Sequence, residues 1–176
     1  GKIDHAIVGG VNLITDPEFT DRMKRGGFLG DSCRCKTFDS TADGYVRSEG
    51  AVVMVLSRKD LLVEKKSSFY ATLLGGASNH NGFSPLLTVP SSSAQSELIV
   101  TACLDAGLSG AEELDAIECH GTGTRIGDPI EVNGIRGAMT SRKEMSGALY
   151  LSSAKTNVGH LESAAGVTGL LRAILS

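Results

Sequence analysis

Twice in this chain a short apolar strand pattern leads to a histidine set among glycines and small polar residues, and then to a helix. The two segments are Ile117-Glu118-Cys119-His120-Gly121-Thr122-Gly123-Thr124 and Ala154-Lys155-Thr156-Asn157-Val158-Gly159-His160-Leu161-Glu162. In open α/β sheets ligands collect at the carboxyl ends of the strands. The spacing therefore predicts both imidazoles in one crevice, where a convergent pair suits proton handling or oxyanion stabilisation. A single histidine in such a turn more often only hydrogen-bonds backbone. Spacing alone leaves both readings open.

The remaining pattern extends the alternation. Ile3 to Val8 reads as a buried strand ending at Gly9-Gly10. Thr15 caps a helix with Glu18 as its capping-box partner, and Gly26-Gly27 ends it. A polar loop runs to Gly50, and Ala51 to Leu56 is apolar and β-branched, as in a strand covered on both faces. Ser57 caps a short helix. Phe69 to Ser78 reads as a strand, Asn79 to Gly82 as a turn, and Ser93 to Ala106 as an amphipathic helix stopped by Gly107. Leu114 to Glu118 and Leu149 to Ser153 are short strands. Asp128-Pro129-Ile130-Glu131 is a helix start with Asp128 as N-cap, and Glu162 to Leu175 is a helix rich in small residues. Strands alternating with helices imply a layered α/β fold with much parallel sheet.

At 176 residues the chain is the size of one domain or part of one. The net charge of −3 and the absence of long basic runs give no footprint for nucleic acid. No apolar stretch approaches the ~20 residues of a membrane span, and no leader opens the chain. Gly1 in place of Met, and an apolar helix pattern cut at Ser176, imply truncation at both ends. Cys33, Cys35, Cys103 and Cys119 have no zinc-ligand spacing and read as reduced thiols of an intracellular, cytoplasmic or organellar protein.

Four collinear stretches carry a resemblance. HGTGTRIGDPIE at His120 to Glu131 and SAKTNVGHLESAAG at Ser153 to Gly166 resemble the two histidine motifs of β-ketoacyl synthases (ketosynthases) of type I polyketide and fatty-acid synthases. KTFDSTADGYVRSEGAVVMVL at Lys36 to Leu56 resembles the segment between that family's two halves, and TVPSSSAQ at Thr88 to Gln95 a further landmark. The GDPIE ending leans toward polyketide synthases.

The resemblance implies a thiolase-like αβαβα fold, here the C-terminal two-thirds of one ketosynthase domain over residues 1–176, working as a homodimer. It implies decarboxylative Claisen condensation of acyl and malonyl thioesters carried on the phosphopantetheine of an acyl carrier protein, with no cofactor or metal bound by the domain itself. His120 and His160 would be the histidines of a Cys-His-His triad, and Lys155 would balance charge beside them. Thr122 and Thr124 would hydrogen-bond the phosphopantetheine arm, with Gly121 and Gly123 letting it approach closely. Asp128 and Glu131 divide between helix-start chemistry and a polar network with Lys155. The family's TACSSS-like nucleophile elbow and FGFGGTN-like loop are missing from these residues, so the fragment is expected to be inactive alone. A non-elongating domain that binds or transfers acyl chains is the alternative. A phosphate loop at Gly121 to Thr124 lacks the required lysine and glycine spacing.

Overall fold

The computed structural model describes residues 3–82, 89–139 and 147–176. Thr88, at the head of the expected landmark, lies outside them. The described chain builds two small sheets with helices packed between and beside them. Strand β1 (His5–Asn12) pairs antiparallel with β2 (Gly50–Ser57), in register from His5 opposite Ser57 to Asn12 opposite Gly50. Strand β3 (Ala116–Glu118) pairs parallel with β4 (Tyr150–Ser152). The expectation of much parallel sheet is thus corrected among the described residues: the longer ladder is antiparallel.

β1 runs through Gly9-Gly10 rather than stopping there. The glycines leave room for a close neighbour: a Cβ on Gly10 would stand 2.9 Å from the Ala164 Cα. Residues alternate between faces along a strand, and β2 does not read as doubly covered. Val52 and Met54 are partly buried, whereas Val53 and Val55 lie 66% and 70% exposed on the other face beside Ile7.

Helix α1 (Pro17–Arg25) starts one residue later than expected. Its N-cap is Asp16, whose carboxylate accepts the Phe19 N–H at 3.1 Å, and Pro17 opens the helix. Arg58, not Ser57, precedes α2 (Lys59–Glu64), and no side chain caps that helix. Residues 69–78 form no strand. They run beside α3 (Ser92–Asp105), and in place of a ladder the Gly76 N–H donates to the Asp105 carboxylate and the Asn79 amide to the Ala94 carbonyl. α3 is capped by Ser91 and ends before Gly107, at φ +80°. Residues 79–82 take no regular turn, although Gly82 has positive φ.

α4 (Gly127–Ala138) packs along α3. Cys103, Ala111 and Ala138 form a small buried core there, with Ile99, Leu114 and Met139 around it. Its N-cap is Ile126 without a side-chain bond, so Asp128 stands inside the first turn and its carboxylate is free for other partners. The one-turn helix α5 (Lys155–Val158) follows β4. The expected Glu162 helix begins instead as a 3₁₀ turn, Glu162–Ala164, before α6 (Ala165–Leu175), which lies against β1, β2 and β3. Among the described residues no helix is long and apolar enough to cross a membrane.

Candidate functional site

His120 is delivered by the carboxyl end of β3, as the paired design requires, whereas helix α5 intervenes between β4 and His160. The Cys119 N–H donates to the Ser152 carbonyl, extending the parallel ladder up to His120. The Glu131 carboxylate then accepts the His120 and Gly121 N–H groups at 2.6 and 2.8 Å, which satisfies the strand's end. His160 is fixed from the other side of the chain. Its N–H donates to the Val46 carbonyl at 2.8 Å, and its carbonyl accepts the Ser48 N–H at 3.0 Å. Gly159 makes that pairing possible. It takes φ +74°, and a Cβ there would meet the Ser48 side chain at 2.9 Å.

The two imidazoles stand edge to face with ring centroids 5.6 Å apart, and the Tyr45 ring lies 4.9 Å from His160. Both line one cleft of about 750 Å³ with Tyr45, Phe28, Thr122 and Thr124. The His160 Nδ1 accepts the Glu162 N–H at 2.9 Å. Its proton therefore sits on Nε2, which remains a donor. Among the described residues, nothing hydrogen-bonds the His120 ring, so both its nitrogens can face a ligand. Burial first, and the Lys155 cation second, lower both imidazole pKa values, that of His160 to about 4. At neutral pH the pair is uncharged.

Lys155 is 7% exposed, not a surface lysine. Burial pulls its ammonium pKa down, while Glu131, Cys35 and Glu118 oppose that shift. Among the described residues no carboxylate closes an ion pair with it. It borders a second cavity of about 390 Å³ that His120 also lines.

The acids resolve differently from the two readings left open by the sequence. Asp128 Oδ1 accepts the Gly123 and Thr124 N–H groups, and Oδ2 accepts the Phe38 N–H at 2.8 Å. It ties the 36–38 segment to the loop after His120 instead of capping α4. Glu131 combines backbone capping with electrostatic support of Lys155. The glycines pack against neighbouring loops. A Cβ on Gly121 would meet Thr37 and Ser153, and one on Gly123 would stand 2.8 Å from the Lys36 backbone N. Their missing side chains make room for the chain itself. The Thr122 and Thr124 hydroxyls lie 3.2 Å apart, and Thr124 Oγ1 accepts the Gly127 N–H.

Sequence reading passed over three supports. Tyr45 walls the cleft, Arg47 binds Glu162 beside His160, and Glu118 accepts from Ser152 and Arg172 to lock β3, β4 and α6 together. No local spacing announces such partners. All four cysteines are free, with Cys33 exposed and the others buried. Among the described residues no three His, Cys, Asp or Glu side chains converge as metal ligands do.

Residues 70–176 match the family described as Beta-ketoacyl synthase, C-terminal domain, and residues 1–61 match Beta-ketoacyl synthase, N-terminal domain. The chain belongs to the β-ketoacyl synthase family. It is 45% identical over 173 residues to a phenolphthiocerol/phthiocerol polyketide synthase of Mycobacterium tuberculosis, covering 98% of this chain and 8% of that protein. It is 42% identical over 176 residues to the highly reducing polyketide synthase virA of Hypocrea virens, covering 100% of this chain and 7% of that protein. The chain thus spans under a tenth of the length of these relatives. Among solved structures, it superposes on the oxazolomycin ketosynthase domain of Streptomyces albus with a TM-score of 0.92 at 35% identity, covering 98% of this chain and 30% of that one. The ketosynthase from module 6 of the bacillaene synthase of Bacillus subtilis gives 0.92 at 34% identity, with 99% and 31% covered. The expected thiolase-like ketosynthase fold is therefore present in part.

Proposed function

We propose that this chain forms the histidine-bearing part of a polyketide-synthase ketosynthase that condenses an enzyme-held acyl thioester with a malonyl thioester. The observation that carries this reading is the pair of uncharged imidazoles facing one cleft 5.6 Å apart, with the His160 proton fixed on Nε2. In the reaction a cysteine thiolate takes the acyl group and releases the carrier thiol. The malonyl carboxylate leaves as CO2, and its bonding electrons pass to the thioester as an enolate. The enolate carbon attacks the acyl-cysteine carbonyl, and the cysteine thiolate departs. The growing negative charge lies on the malonyl thioester oxygen, and the fixed His160 Nε2–H, with an N–H of the His120 ring beside it, stabilises it where it forms.

Lys155 acts through the imidazoles. Its cation disfavours protonation of both rings and keeps them in the donor state without net charge. The Thr122 and Thr124 hydroxyls line the same cleft and suit the amides of a phosphopantetheine arm. The reading brings with it an acyl carrier protein as substrate donor and a homodimeric domain. It also needs a thiolate that the four cysteines here do not supply, since burial raises the pKa of Cys35, Cys103 and Cys119, and Cys33 is exposed and does not line the cleft.

The test follows CO2 release and acyl loading separately on the complete protein. His160→Ala should slow malonyl decarboxylation on the order of 10² to 10³ and leave acyl loading measurable. A variant that decarboxylates normally would overturn the assignment. Acyl transfer by the unaltered protein with no CO2 release would identify a non-elongating domain instead.

A further inference from the structure

The loop after His120 runs from the interior of the cleft to its mouth and back. Gly121, Thr122 and Gly123 are buried, Thr124 is half-buried, and Arg125 and Ile126 are exposed. Asp128 is buried again, and Glu131 reaches back to the His120 N–H. Arg125 therefore stands at the apex, on the rim of the same cleft that the two histidines line.

Among the described residues Arg125 is the one lysine or arginine lining that cleft. Its Nε–H donates to the Ala42 carbonyl at 3.4 Å, which holds the guanidinium on the rim and leaves both terminal nitrogens without a partner among the described residues. The two carboxylates on the cleft wall are already engaged. Glu131 accepts backbone N–H groups, and Asp43 accepts the Asp31 N–H and pairs with Lys36 at 3.3 Å. A planar, permanently charged fork with two free donors is suited to a phosphate ester.

We propose that Arg125 forms a subsite for the phosphate of the phosphopantetheine arm, at the mouth of the cleft whose inner wall holds Thr122, Thr124 and the histidines. This rests on the condensing reading above and adds to it a residue that selects phosphorylated over unphosphorylated pantetheine. Two sources present that chemistry, a carrier protein and coenzyme A.

Calorimetric titration of the complete protein with pantetheine and with phosphopantetheine tests the subsite apart from turnover. The unaltered protein should bind the phosphorylated form about fivefold more tightly, as a partly exposed charge pair allows. Arg125→Gln should make the two equal, with Arg125→Lys between. Titrating coenzyme A and the loaded carrier against the same variants tells the sources apart, since affinity for the true donor falls with the charge. An unaltered protein that does not discriminate, or an Arg125→Gln variant that still does, overturns the subsite. Phosphate discrimination without any condensation would overturn the condensing reading alone, and condensation without discrimination the subsite alone.

Discussion

The Arg47 guanidinium and the Glu162 carboxylate meet through two hydrogen bonds, Nε to Oε1 at 2.7 Å and Nη2 to Oε2 at 2.8 Å, across 115 residues of sequence. The arginine side chain is 8% exposed and the glutamate 22%. Arg47 also donates to Thr20 and lies 4.8 Å from the Phe19 ring centroid. Glu162 holds a left-handed φ of +43°, and from there its N–H reaches the His160 Nδ1. The ion pair thus holds the residue that fixes the His160 tautomer.

Breaking a half-buried pair leaves one charge uncompensated, so either partner alone should matter and the two should not add. Arg47→Ala and Glu162→Ala are each expected to slow malonyl decarboxylation on the order of tenfold, through kcat more than KM. The double variant should be little slower than either single one. Additive losses in a double-mutant cycle would show that the two residues act separately.

The histidines themselves should show a larger effect. Loss of one oxyanion donor lowers rate on the order of 10² to 10³. His120→Ala and His160→Ala are both expected to fall in that range for CO2 release, with acyl loading measurable by mass spectrometry of the intact protein. Equal loss of loading and decarboxylation would instead mark a collapsed site.

Much of this arrangement was legible in the residues because its signals are local. A strand, a glycine-flanked histidine and a helix start need only a few consecutive positions, and both copies open on the same cleft. The misreadings arise where tertiary partners decide. Residues 69–78 have strand composition but find α3 alongside instead of another strand, so the Gly76 N–H, like the Asn79 amide just beyond, bonds to it. Asp128 has an ideal N-cap sequence context, yet three N–H groups of two distant loops claim its carboxylate. Arg47 and Glu162 carry no periodic signal at all; only the pairing of residues 46–48 with His160 brings them together.

Asp128 gives a prediction about the scaffold. Asp128→Ala orphans the Gly123, Thr124 and Phe38 N–H groups together, which should destabilise the region by about 3 kcal/mol. The 36–44 segment, tied to the histidine loop by Asp128 and by the Gly44 N–H to Gly123 carbonyl bond, should become the first site of cleavage in limited proteolysis of the complete protein. An unchanged cleavage pattern would remove Asp128 from that role.

Depressed histidine pKa values set the direction of pH dependence. With His160 at about 4, its ring gains a proton only well below the ordinary 6.5, and burial and the Lys155 cation shift His120 in the same direction. Decarboxylation should therefore hold its rate further into acid than an unperturbed histidine pair would allow, which at about pH 6 would already have lost most of its neutral form. For folding the sign runs the same way. The unfolded chain takes up these protons first, so the histidine contribution to stability is complete above about 6.5 and is lost as pH falls toward about 4. Lys155→Met removes one cause of the depression, and the acidic limb of the rate profile should move upward. An acidic limb that stays in place would show that Lys155 does not tune the pair.

The cysteines provide a chemical check on which groups can react. Burial, with the Glu131 charge next, pushes the Cys119 thiol up to about 12, although it adjoins His120 in sequence. At about pH 7.5 its thiolate fraction is on the order of 10⁻⁴ to 10⁻⁵, and the thiolate is the form that attacks electrophiles. Cys33, exposed in the 30–35 loop, has open access. Brief treatment of the native protein with iodoacetamide should alkylate Cys33 and spare Cys119, and Cys119→Ala should decarboxylate malonyl thioester at close to the unaltered rate. An acyl group recovered on Cys119 after incubation with acyl thioester would refute this, since it would make a buried thiol next to His120 the nucleophile.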